Sequence, residues 1–148
     1  MYRTWTNILN IFVSFIENKS KMKRVSAIFI FIISGTILNV WLFRLHKPTS
    51  FRGNDASTLM EEFLVYGLDK NLFYLVGTVK VIASILLLFG IIKKKLVIPT
   101  ASIIALIMVV ALLMHFRVGD SFYKHIPALI IFTMSSLLVL IERKLIKF

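Results

Sequence analysis

Four long apolar runs take up most of this chain: Val25 to Phe43, Leu72 to Ile92, Leu96 to Phe116, and Ile126 to Ile141. Three of them approach the roughly 20 residues with which an α-helix crosses a hydrocarbon core of about 30 Å. The fourth is shorter and is bounded by Pro127 and by Glu142-Arg143-Lys144. With 58% hydrophobic residues in 148, a soluble globule is excluded, because four buried helices would need far more chain to cover them. The pattern predicts an all-α membrane protein, an antiparallel four-transmembrane-helix bundle. It forms one membrane domain over 25–148, preceded by a cytoplasmic or interfacial segment over 1–24.

The net charge of +11 would suggest nucleic acid if the chain were soluble. Its distribution says otherwise. Eleven of the 18 Lys and Arg residues flank the first span, fill the Lys93–Lys95 turn or follow the fourth span. Only Arg44, Lys47, Arg52, Lys70, Arg117 and Lys124 belong to the other side. The positive-inside rule places both termini and the Lys93–Lys95 turn in the cytoplasm, as in a bacterial inner-membrane protein. Cations set against spans, with no aromatic-interleaved groove beside them, suit anionic lipid headgroups rather than nucleic acid. The sequence contains no cysteine, which removes thiol relays, cysteine-ligated clusters and disulfides from consideration.

Before the first span, Trp5, Ile8, Leu9, Phe12, Phe15 and Ile16 recur at helical spacing, the signature of a helix lying in the membrane interface. Met22-Lys23-Arg24 offers an alternative start to Met1. The first span is too long for a cleavable signal peptide, and no small-residue site follows it. Leu45 to Asn71 is the one sizeable loop. Within it Thr58 and Glu61 resemble a capping box opening a short amphipathic helix through Leu59, Met60, Phe63, Leu64 and Tyr66, with Gly67 as its stop.

Lys80 lies near the middle of the second span. An ammonium there costs about 3 kcal/mol on insertion scales unless it is paired or reaches water. Gly77, Lys80 and Ser84 share one helical stripe, and small residues allow close helix approach, so Lys80 is expected to face protein. Gly35, Asn39 and His46 share a stripe on the first span, as do Ala101, Ala105, Met108 and His115 on the third. At 1.5 Å per residue, Asn39 and Lys80 sit about 21 and about 18 Å from the basic end, and His115 near 28 Å. The expected site is a polar pocket opening outward, with Lys80 as anchor, Asn39 and His115 as hydrogen-bonding groups, and Asp120 as counter-charge. Glu61 or Glu62 would stand beside them. A purely structural Lys80, pairing with one carboxylate, is the competing reading. His115, Asp120 and His125 match no standard metal motif, so no metal is expected. Ser121 lacks any nucleophile-elbow or oxyanion signature.

Val76-Gly77-Thr78-Val79-Lys80-Val81-Ile82-Ala83, with Met114-His115-Phe116-Arg117-Val118-Gly119-Asp120, resembles the DoxX-like membrane proteins. Their pattern has a Gly three residues before a Lys or Glu in the second span, matched by Gly77 and Lys80. A His followed by Gly-Asp after the third span is matched by His115, Gly119 and Asp120, and a nearby proline by Pro127. The resemblance covers roughly Val25 to Ile141. It implies a compact bundle of four transmembrane helices and, for some relatives, association with thiosulfate–quinone oxidoreduction; the missing cysteines depart from a thiol-based version. The sequence thus points to a small-molecule or lipid-like ligand, with a quinone among the candidates. The alternatives are a membrane subunit of a quinone-linked oxidoreductase complex or an assembly partner of another membrane protein.

Overall fold

The computed structural model describes residue 14 and residues 18–147, and among these every regular element is helical. The amphipathic segment expected before residue 18 lies outside the described residues. Helix α1 runs Lys19–Leu38, and the side chain of Asn18 caps it by accepting from the Lys21 N–H at 3.0 Å. It continues into a π-helical turn, Asn39–Phe43. A short helix α2 (Leu59–Val65), then α3 (Lys70–Phe89), α4 (Val97–Arg117) and α5 (Phe122–Lys147) complete the fold. Four segments, 19–43, 70–89, 94–117 and 122–146, are long and apolar enough to cross a membrane. This is the expected antiparallel four-span bundle with one short helix in its first long loop.

Element ends depart from the apolar runs for identifiable reasons. The first helix begins six residues before Val25, because Asn18 supplies a cap and its lysines extend easily past the hydrocarbon. The last begins at Phe122, so Pro127 lies inside α5 rather than at its boundary. Its missing N–H falls within the first two turns, where a proline disturbs a helix less than at its centre.

The four long helices close into a ring in which α1 touches α3 and α5, α3 touches α4, and α4 pairs most extensively with α5. Ile30, Ile33, Leu87, Ile104 and Leu138 are fully buried at its centre. Ser26, Ser34, Ser84 and Ser135 are also fully buried, and such small side chains let helix axes approach closely. At the basic end the buried Glu142 accepts from the Ser26 hydroxyl and pairs with Lys94 at 3.5 Å. That carboxylate ties α1, the α3–α4 turn and α5 together, so both described chain ends share one end of the bundle.

The other end is closed by the long loop. Thr58 caps α2 by accepting from the Glu61 N–H at 3.1 Å, while the Glu61 carboxylate takes the Ser57 N–H at 2.8 Å, one residue earlier than in a capping box. The helix stops at Gly67 (φ 74°), where the Gly67 N–H bonds Leu64 O and the Leu68 N–H bonds Phe63 O. This is a Schellman end, which requires a left-handed residue that glycine adopts without a Cβ penalty.

Candidate functional site

Gly77 sets the first part of the site. A Cβ on it would drive into the indole of Trp41, so α3 approaches α1 closely enough there for the ring to lie against bare backbone. Trp41 then packs on Phe73, ring centroids 5.2 Å apart, and on Phe63 from α2 at 6.2 Å. One turn below Gly77, the half-buried Lys80 lays its ammonium 5.3 Å from the Trp41 ring centroid. Such a cation over an indole contributes roughly 0.5–2 kcal/mol, more as it is desolvated. Lys80 therefore faces protein.

Glu62 sits on the buried face of α2. The expected apolar stripe of that helix is rotated: Leu59, Glu62, Phe63 and Tyr66 are inward, while Leu64 is exposed. A carboxylate can occupy that face because every neighbour donates to it. The Gly53 N–H reaches it at 2.6 Å, the Tyr66 hydroxyl at 3.0 Å and Arg52 at 3.4 Å. Arg52 in turn donates to the carbonyls of Arg44 at 3.0 Å and Lys47 at 3.1 Å, pinning the loop to the end of α1. A buried ion pair persists only with such supplementary hydrogen bonds, since desolvation otherwise exceeds the Coulombic gain.

His115 and Asp120 meet through the end of α4. Gly119 (φ 72°) forms a second Schellman turn: its N–H bonds Phe116 O, and the Asp120 N–H bonds His115 O, each at 3.1 Å. That reversal carries the Asp120 carboxylate back onto the histidine, where His115 Nδ1 donates to it at 2.8 Å. The His-x-x-x-Gly-Asp spacing is therefore a helix-end geometry, with the histidine three residues inside the cap and the aspartate two beyond it. The second carboxylate oxygen takes the Asn54 N–H at 2.8 Å and lies 3.6 Å from the Lys124 ammonium. Lys124 also pairs with Asp55 at 2.7 Å. Burial alone would push the Asp120 carboxyl up, but the Asn54 amide, His115 and Lys124 together hold it below the usual carboxylate range.

The two halves join at Tyr66, whose oxygen lies 3.1 Å from His115 Nδ1 and 3.4 Å from Nε2. Burial and the neighbouring Glu62 carboxylate push the Tyr66 hydroxyl well above its ordinary value, so it stays protonated. His115 and Asp120 thus belong with Tyr66, Glu62 and Arg52 to one polar assembly at the loop end, while Lys80 lies apart from it against Trp41. Asn39 does not join it. It is exposed in the π-helical turn, as are Gly35 on α1 and His46 in the turn beyond, whereas Ile30, Ile33, Ile37 and Trp41 are buried. Arg52 and Tyr66 were not singled out from the sequence as site residues. Only the burial of Glu62 makes them part of it.

An apolar groove of about 260 Å³ opens beside this assembly, lined by Trp41, Leu45, Phe73, Tyr74, Gly77, Thr78, Val81 and Ile82. It follows the α1–α3 seam, and Trp41 is the wall it shares with Lys80. Among the described residues no group of three or more His, Asp or Glu gathers as a metal site.

These features define a multi-pass helical membrane protein with a charged network roofed by its first long loop. The chain belongs to the DoxX-like family, whose model matches residues 49–139. That match begins after α1, short of the Val25–Ile141 extent that the motifs imply. No curated protein and no solved structure matches the chain significantly.

Proposed function

We propose that the loop end of the bundle binds a small amphipathic molecule, its apolar part in the α1–α3 groove and its polar head toward Lys80. One observation carries this reading: the Lys80 ammonium is turned inward onto Trp41, and the same indole walls an apolar groove. A site of apolar walls with a few convergent polar groups is the usual form of a small-molecule pocket. A quinone fits the chemistry, with a carbonyl to accept from the ammonium and a ring to lie against Trp41, Phe73 and Tyr74. With the basic end in the cytoplasm, as the cation distribution favours, the site opens toward the opposite compartment.

The test uses Trp41 as reporter. In a Trp5→Phe background it is the single tryptophan, since the chain has 2. Titrating decylubiquinone into protein held in lipid nanodiscs should quench its emission saturably. Lys80→Met should weaken that binding by about tenfold, or about 1.4 kcal/mol, with helix content unchanged. Equal affinity in the two proteins would dismiss Lys80 as anchor, and linear, unsaturable quenching would dismiss the site.

A further inference from the structure

The side of α1 turned away from the bundle carries polar groups with nothing to bond. Gly35, Thr36 and Asn39 are all exposed. Among the described residues neither the Asn39 amide nor the Thr36 hydroxyl has a hydrogen-bond partner, whereas Thr100 and Thr133 bond carbonyls of their own chain segments at 2.6 and 2.8 Å. Val40, Trp41, Leu42 and Phe43 separate Asn39 from Arg44, which sets the amide about 7 Å inside the hydrocarbon at 1.5 Å per residue. Its short side chain does not reach the headgroups from there. An amide in hydrocarbon is costly without a partner, because no water is present to replace one.

The same face has a regular seam. Ile28, Ile32, Gly35 and Asn39 follow one another at alternating steps of four and three residues, and all are exposed, Ile28 by 53% and Ile32 by 45%. The Asn39 N–H still bonds Gly35 O, so the seam keeps helical register to its last member. Two helices wrap left-handed around each other along a seam of this period, and one polar residue in it fixes register and the number of partners. Nothing lies within 4 Å of where a Cβ on Gly35 would stand, so a small residue leaves a notch there for a second helix to approach. The opposite stripe, Ile30, Ile33, Ile37 and Trp41, is already occupied within the bundle.

We propose that α1 is the interface of a homodimer, in which Ile28, Ile32, Gly35 and Asn39 pack against the same residues of a second copy. Membrane topology selects the partner. Every copy crosses the bilayer in the same sense, so a two-fold axis along the membrane normal sets the two α1 helices parallel and brings Asn39 opposite itself at one depth. An amide carries both donors and an acceptor, so the two side chains satisfy each other reciprocally. Any other membrane protein would need a polar group at that same depth; a second copy always has one. The apolar groove has Trp41 as its wall, on the inward stripe of the helix. The dimer therefore leaves it open, and neither reading depends on the other.

The test uses the full chain in liposomes. Donor- and acceptor-labelled copies, each carrying its dye on a cysteine in place of the exposed Ser50, should show energy transfer that rises with the protein-to-lipid ratio to the plateau of a dimer. Asn39→Leu leaves an apolar helix face and should weaken the dimer by about tenfold. Asn39→Gln, which keeps donors and an acceptor, should retain it. Gly35→Ile, whose first added carbon meets nothing in its own protomer, should weaken it at least as much as Asn39→Leu, with helix content unchanged by circular dichroism. The geometry is checked by oxidative cross-linking, since the chain has no cysteine of its own. Ile32→Cys should yield a disulfide-linked pair, and Leu106→Cys, also exposed but on α4, should not. Energy transfer no greater than random mixing gives, association of Asn39→Leu equal to the parent, or cross-linking as efficient at position 106 as at position 32 would each overturn the interface.

Discussion

Asp120 shows how far a residue's role depends on what is folded over it. In the sequence it is one carboxylate in a loop; in the structure an amide, an imidazole and an ammonium converge on it. Its depressed titration has a definite sign. A carboxyl whose folded value lies below its unfolded one stabilises the protein at pH above the unfolded value, about 3.9. That contribution is lost as pH falls from there through the folded value. The thermal midpoint in detergent should therefore drop as pH is lowered below about 4, and Asp120→Asn should flatten that part of the profile. A variant tracing the parent curve would show that some other carboxylate is responsible. Lys80 was legible as a residue, because an ammonium amid apolar neighbours stands out. The choice between Glu61 and Glu62 was not, since only the folded loop places Arg52, Gly53 and Tyr66 around Glu62.

Elements carry these residues by their ends more than by their middles. Gly67 and Gly119 each terminate a helix in the left-handed region, and the second of them delivers Asp120 to His115. Gly119→Ala should cost about 1–2 kcal/mol by thermal unfolding, the penalty of a Cβ in that region. Gly35→Ala, on the exposed face of α1 with open space around it, should be neutral or stabilising, because alanine favours helix by about 1 kcal/mol. Equal effects at the two sites would remove the helix-end account. The His-Gly-Asp spacing was visible in the sequence, but as a pattern without a cause. Just beyond α1, Asn39 is exposed and not turned toward the bundle. The buried face is set instead by the packing of Ile30, Ile33, Ile37 and Trp41 against neighbouring helices, which in a bilayer depends on side-chain shape and not on transfer from water.

At the scale of the whole molecule, apolar run length alone predicts four helices and their antiparallel order, because short turns leave neighbours no other arrangement. Which helices touch is not written in that pattern; it follows from side-chain shape, as at Ser26, Ser84 and Gly77. The topology has a direct test in a chain with no cysteine. Single cysteines in place of Asp55 and Lys94 should react with a membrane-impermeant maleimide from opposite sides of a sealed vesicle. Labelling of both from one side would disprove the four-span arrangement.

One contact reaches further than its size suggests. The indole beneath Lys80 has its seat because α3 offers a hydrogen atom where any other amino acid would offer carbon. The tilt of that ring, the width of the seam beside it and the resting place of the nearby cation are thus all specified by a side chain that is not there. Enlarging that one position would reshape everything a visitor to the seam could feel, without touching a single charged group.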